Sequence, residues 1–255
     1  MSGRTDDRMA RRRAQVRASN RSERLRRSVS VLVLISVLVA GWAAERSWLV
    51  ALDEIQLSGT ARLEPQVVLA AADLALGTST LRLRLGAAKA RIEDLPLVAY
   101  AEVSRVSPVT VRIEVVERIP QIVGRSGTAA VLIDAEGIVI AAGDDPALTS
   151  VDVTGPLPSV GTMLGADSAL GAANLVWQGL SGPLRAEVRR IEARSAQDID
   201  LRLEDGTRVR IGRPDQLAEK VRSLGALLEE LAGERVAVID VRAPSNPVVS
   251  GRDRS

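Results

Sequence analysis

Val29 to Ala44 is a run of sixteen residues without a charge, and it sits directly behind an arginine-rich leader. As a helix rising about 1.5 Å per residue it spans roughly 24 Å. That falls a little short of the ~30 Å hydrocarbon layer of a bilayer. Arg27 and Arg46 can close the gap by extending their charged ends to the interfaces, where Trp42 and Trp48 also fit. The rival reading is a cleaved signal, since Gly41 and Ala43 flank Trp42 as a signal peptidase requires. Against it, the leader alone is as long as a whole signal peptide, and the apolar run exceeds the usual ~7–15 residues. The run therefore reads as a retained anchor. Its cationic flank stays in the cytoplasm, and the body from Glu45 onward lies outside.

The formal net charge of +2 hides a division along the chain. Residues 1–27 hold ten arginines against Asp6, Asp7 and Glu23, so the head carries +7 and the remainder −5. With no aromatic residue for base stacking, the head reads as a topology-setting leader and not as a nucleic-acid arm. The chain has no cysteine and no histidine. Disulfide frameworks, thiolate nucleophiles, zinc sites built on Cys and the commonest general base are thereby excluded.

Beyond the anchor, apolar residues alternate near Leu49–Gly59, which predicts a strand ending at a glycine turn. Pro65 opens a helical pattern that Gly77 stops, and a second helix fits 85–96 with Ala88, Ile92 and Leu95 on one face. The stretches VAYAEVSRV and TVRIEVVER are strands, the second alternating Val111, Ile113 and Val115 against polar neighbours. The predicted order is β-α-α-β-β. Further on, VLIDAEGIVI (131–140) is a hairpin, and IDLRLEDGTRVRIG is two strands about a Glu-Asp-Gly turn. A helix follows with Pro214 near its start and Leu217, Val221, Leu224 and Leu228 on one face, and RVAVIDVR is a final strand.

These segments in this order resemble the bacterial FtsQ/DivIB cell-division family. The likeness rests on LDEIQLSG, on LPLVAYAEVSRVSPVTVRIE followed by the exit VERIP, on the 131–140 hairpin, on Leu157-Pro158 and on the closing Asp240-Val241-Arg242. Leu97 and Ser107 stand where the family often carries Trp, and APSNPVVSG replaces an aromatic-containing last strand. The resemblance implies an α+β fold: a single N-terminal transmembrane helix, a POTRA-like domain and a β-rich domain. The expected divisions are a cytoplasmic basic tail (1–27), the transmembrane helix (28–44), the POTRA-like domain (45–118), the β domain (119–242) and a C-terminal tail (243–255). The tail is either a short edge strand or unstructured.

The resemblance also implies a function, that of a non-enzymatic bitopic scaffold at the division septum. It would have no cofactor and no metal, and would bind FtsB- and FtsL-type membrane proteins and, through them, the septal peptidoglycan synthase. Strand addition at an open sheet edge is the expected mode of capture. That edge is expected near Val236–Val241, with Val236, Val238 and Val241 either contact or core residues. Arg194, Arg242 and Ser245 are carried over as contacts. A second surface is expected on Val111, Ile113, Glu117 and Arg118, where an ordinary amphipathic edge strand is the alternative. Glu117 and Arg118 would either set the angle between domains or only aid solubility.

The competing class is a membrane-anchored, carboxylate-dependent cell-wall hydrolase. Lys89 and Lys220 have Gly86 and Leu217 three residues before them, so no Ser-Lys dyad exists. No nucleotide-binding loop or Gly-x-Ser-x-Gly elbow occurs. The acidic pairs Asp144-Asp145, Glu204-Asp205 and Glu229-Glu230 fall in turns or at a helix end, where solvated carboxylates are the rule.

Overall fold

The structure is a computed structural model that describes residues 29–41, 50–231 and 234–253. A first helix, α1, covers 29–41 and is exposed along its length. Among the described residues no helix is long and apolar enough to cross a membrane. The rest of the expected anchor, residues 28 and 42–44, and the basic leader lie outside the described residues.

The next elements are β1 (Glu54–Ser58), α2 (Pro65–Ala72), α3 (Leu85–Glu93), β2 (Val98–Ser107) and β3 (Thr110–Glu117), in the predicted β-α-α-β-β order. The three strands form one sheet in the order β1-β3-β2. β3 is therefore the central strand and not an edge. Its alternation puts Val111 and Ile113 at zero exposure, and only Arg112, Glu114 and Val116 remain for the other face. Val111 and Ile113 are thus core residues, a correction that follows from the last strand in sequence pairing on both sides.

By contact density the chain separates into two compact units. Of the described residues, one holds those up to Leu57 with Asp73–Ala88 and Val103–Ile113, and the other holds Ser58–Ala72, Lys89–Glu102 and those from Glu114 onward. Within the first, buried Thr80 ties two carbonyls, donating to those of Val50 (3.1 Å) and Pro108 (2.6 Å). Within the second, the carboxylate of Glu117 accepts the N–H groups of Ala61, Arg62 and Leu63 at 2.8, 2.9 and 2.9 Å. These are donors ahead of α2, so the last residue of β3 secures the entry to that helix. Arg118 points elsewhere, pairing with Asp134 and Glu136 at 2.7 Å each and donating to the carbonyl of Val98 at 3.1 Å. The two neighbours are not an ion pair with each other; each fastens a different segment.

The C-terminal part builds β4 (Pro120–Ser126), β5 (Ala129–Asp134), β6 (Val139–Ala142), β7 (Thr149–Val153), α4 (Ala169–Gly179), α5 (Gly182–Glu187), β8 (Val188–Ser195), β9 (Asp198–Leu203), β10 (Arg208–Arg210), α6 (Leu217–Glu230), β11 (Arg235–Asp240) and β12 (Val248–Asp253). Nine strands form one mixed sheet, ordered β12-β11-β10-β9-β8-β7-β4-β5-β6. The parallel pairs β7/β8 and β10/β11 need crossovers, which α4 with α5, and α6, supply. The register aligns Val151, Ile191, Leu201, Val209, Ile239 and Val249 across six strands. The first five are fully buried, and the row packs in one core with Leu170, Ala173, Val176 and Trp177 of α4 and Leu224 of α6. α6 begins at Leu217, three residues after Pro214, because Gln216 adopts a left-handed conformation (φ 48°) that ends the preceding turn.

β11 is paired on both sides, with β10 in parallel and β12 antiparallel. The open edge expected at Val236–Val241 is therefore covered, and the edge of the sheet is β12, within the segment 243–255. Gly251 (φ 70°) permits this pairing, since a Cβ there would come within 2.6 Å of Ala237 Cβ.

The Glu117 cluster predicts a pH response. Burial raises the carboxyl's pKa, but the N–H groups of Leu63, Arg62 and Ala61 and the Arg62 charge outweigh burial and hold it below the ordinary value. A depressed carboxyl stabilises the fold above its unfolded pKa of about 4.3, and that contribution disappears as pH falls through the lower folded value. Glu117→Ala is expected to lower the unfolding free energy by about 1 to 2 kcal/mol at pH 7. Urea unfolding should also show that the gap between variant and parent closes below about pH 4.

Candidate functional site

Residues directly opposite one another in a sheet share a face. The same register that lines up the core row places Glu192, Asp200, Arg210, Asp240 and Val248 in a row on the other face, next to Arg190, Arg202, Arg208, Val238 and Ser250. Strands about 4.8 Å apart thus carry a charged lattice that ends at the β12 edge.

The lattice has depth. Side-chain exposure is 2% for Asp200, 18% for Glu192 and 20% for Asp240, whereas Arg190, Arg194, Arg210 and Arg242 lie between 41% and 55%. Carboxylates form the floor and guanidiniums the surface. Asp200 accepts Arg194 (3.1 Å) and the guanidinium of Arg208 (3.0 Å from Nε). Glu192 receives Arg202 at 3.0 Å and Arg190 at 3.1 Å. Each buried carboxylate serves more than one guanidinium, so the arginines keep N–H donors directed outward.

At the edge, Arg242 folds back on Asp240, with Nε 2.9 Å from Oδ1 and Nη2 2.6 Å from Oδ2. This fork holds the Asp240 carboxyl below its ordinary pKa against the opposing effect of burial. Arg242 is held charged by Asp240 first, and the fields of Asp200 and Asp198 add to it. Hydrogen bonds from Arg194 to Asp200 and Asp198 likewise raise the Arg194 pKa.

Of the residues expected to bind a partner, Arg194, Val238 and Arg242 come together on this face, Val238 half-buried between Arg208 and Ser250. Ser245 is exposed in the turn leading into β12. Val236 and Val241, at 8% and 0% exposure, belong to the core. Glu117 and Arg118 form the separate fastenings described above. Sequence reasoning missed Asp200, Asp240 and Lys220. The signals were there: Asp200 and Asp240 alternate with apolar strand residues, and Lys220 interrupts the apolar stripe of α6 between Leu217 and Leu224.

Two clefts lie elsewhere. One of about 400 Å³ lies beside the N-terminus of α4, and its lining residues include none that titrates. The other, about 540 Å³ between α5 and α6, is lined by Glu187, Arg222 and Glu229 among apolar side chains. Among the described residues no three Asp or Glu converge as metal ligands. In the acidic pairs, Asp144 binds Arg125 (2.7 Å), while Asp145 and Asp205 accept the N–H groups of Ala147 and Thr207.

Comparison with known proteins gives two consecutive family matches, "POTRA domain, FtsQ-type" over residues 50–118 and "Cell division protein FtsQ/DivIB, C-terminal" over 122–242. Similar curated proteins include the cell division protein FtsQ of Mycolicibacterium smegmatis, 35% identical over 196 residues, which covers 76% of this chain and 56% of that protein. The FtsQ of Mycobacteroides abscessus is 29% identical over 222 residues, or 86% of this chain and 68% of its own length. That of Streptomyces collinus is 29% identical over 236 residues, with 88% coverage of both. The chain thus spans little more than half the length of the mycolicibacterial relative.

The depth of the lattice can be tested by stability. Asp200→Ala leaves Arg194 and Arg208 facing each other without their shared carboxylate and should cost about 2 kcal/mol, reduced from a fully buried pair by the exposure of both guanidiniums. Asp198→Ala, at an exposed position, should cost less than about 0.5 kcal/mol. Equal shifts of the urea midpoint in the two variants would refute a buried floor.

Proposed function

The chain belongs to the FtsQ/DivIB family of cell division proteins, and we propose that it serves the divisome as a non-enzymatic scaffold whose β12 edge accepts a strand from an FtsB- or FtsL-type partner. Through such partners it would act on septal peptidoglycan synthesis. The observation that carries this reading is the outer edge of β12, beyond which no strand stands among the described residues, beside a face whose arginines stand over less exposed carboxylates. Backbone groups of the edge supply affinity without regard to side chains, and Val238 and Arg242 near it, with Arg194 farther along the same face, supply selection. Ser245, in the exposed turn ahead of the edge, extends the same contact. Binding is the whole of the proposed role. The hydrolase alternative has no observation in its favour, since the carboxylates expected to serve it bind neighbouring groups or stand in solvent.

Placement at the membrane rests on the sequence. The uncharged run 29–44 behind a +7 head is a single-pass anchor in this reading, with the N-terminus in the cytoplasm, the C-terminal body outside and the protein concentrated at the septum. The apolar residues of α1 are exposed, which suits contact with lipid. An alkaline phosphatase reporter fused after Ser255 should be active in intact cells; activity from a reporter that needs the cytoplasm would reverse the orientation.

Strand addition has a geometric signature that the lack of native cysteine makes easy to read. Ser250→Cys places one thiol on β12, and cysteines are then introduced one at a time along the partner's outer segment. Paired strands bring opposite Cα atoms to about 4.5–5.5 Å, within disulfide range. Crosslinks should peak at the partner position opposite residue 250 and recur more weakly two residues to either side. A three-to-four residue spacing would mean that a helix docks instead.

A further inference from the structure

We infer that Lys220 is a positioning residue for the docking surface, holding from beneath the turn on which Arg242 rests. The inference depends on the reading of β12 and its charged face as the docking site.

Lys220 lies on the core side of α6 at 2% exposure, and its ammonium makes three hydrogen bonds. It donates to the carbonyls of Ile211 (3.2 Å) and Arg213 (2.8 Å) and to the carboxylate of Asp215 (2.7 Å). A well-packed apolar side chain often serves stability as well as a buried, paired cation does, so the bonds point to a use other than stability. That use is the conformation of the turn 211–216. The turn contains Gly212 at φ 69° and Gln216 at φ 48°, a left-handed conformation that a residue with a side chain rarely adopts. The ammonium gathers this turn from three directions.

The turn carries the floor under Arg242. A Cβ on Gly212 would stand 3.0 Å from Arg242 Cγ and 3.2 Å from Cδ, so the aliphatic stem of Arg242 passes closely over the glycine. With the stem seated there, the guanidinium reaches the Asp240 fork. One helical turn along α6, Ser223 Oγ donates to the carbonyl of Pro244 at 2.7 Å, within the segment that leads from Arg242 into β12. Lys220 and Ser223 are three residues apart and lie on neighbouring positions of one helix face. α6 therefore reaches both sides of Arg242, although no residue of α6 belongs to the docking face.

The test uses the full-length chain in detergent, with a synthetic outer segment of its own FtsB-type protein as probe. Lys220→Met should weaken binding about tenfold, and the effect should vanish in an Arg242→Ala background, because a residue that acts through Arg242 has nothing to act on once Arg242 is removed. Hydrogen exchange should quicken at 211–216 and 242–247 and stay unchanged in β9. Ser223→Ala removes a single hydroxyl and serves as a second variant should Lys220→Met fold poorly; it should weaken binding about threefold, again only while Arg242 is present. Losses that multiply independently of Arg242, or unchanged exchange at 242–247, would overturn the inference. Failure of the probe to bind the parent chain would instead overturn the docking reading, and the exchange measurements would still decide whether Lys220 orders the segment around Arg242.

Discussion

A two-residue period held in register across six strands is the constraint on which the C-terminal half depends. Val151, Ile191, Leu201, Val209, Ile239 and Val249 stand opposite one another strand after strand, and α4 and α6 cover them. Because side chains alternate between faces, this apolar row dictates where the charged residues go. A slip of one residue in any strand would send a carboxylate such as Asp200 into the core and an isoleucine into water. The charged lattice is in this sense a consequence of the core, and its order is inherited from the packing beneath it.

The lattice is more than a solvated face. Asp200, Glu192 and Asp240 are less exposed than the arginines they bind, and each pairs with at least two guanidiniums. Paired surface charges contribute little to stability when both are exposed. Here the less exposed carboxylate of a pair makes its geometry costly to disturb and keeps the arginines in place. Glu117 and Arg118 show the same economy of position: one carboxylate collects three backbone donors ahead of α2, while the adjacent guanidinium engages the hairpin at Asp134 and Glu136.

Most elements were legible in the order of residues. The β-α-α-β-β module, the 131–140 hairpin, the β9–β10 turn and the amphipathic α6 all follow from apolar periodicity and from glycine and proline punctuation, which act locally. Strand order did not follow. Val111 and Ile113 alternate as an edge strand would, yet β3 is central. β12 stayed one of two alternatives for the tail because VVSGRD has no alternating apolar pattern and follows Pro244 and Pro247; its pairing relies on Gly251 fitting against Ala237. Arg194 and Arg242 were identified by resemblance, but the acids that hold them were not: Asp200 lies six residues from Arg194, and Asp240, two residues from Arg242, alternates with apolar residues as any strand polar residue does.

The sequence by itself determined which segments are strands and helices, where charge separates a basic head from an acidic body, and which chemistries are closed to a chain without Cys or His. These are properties of neighbours along the chain, or of composition. Only the tertiary structure decided which strand is the edge, which valines are core, and that a lysine inside a helix's apolar stripe binds the turn over which the stem of Arg242 passes. Those outcomes depend on pairing and burial between residues distant in sequence, and alternation within one strand is the same whether one neighbour flanks it or two.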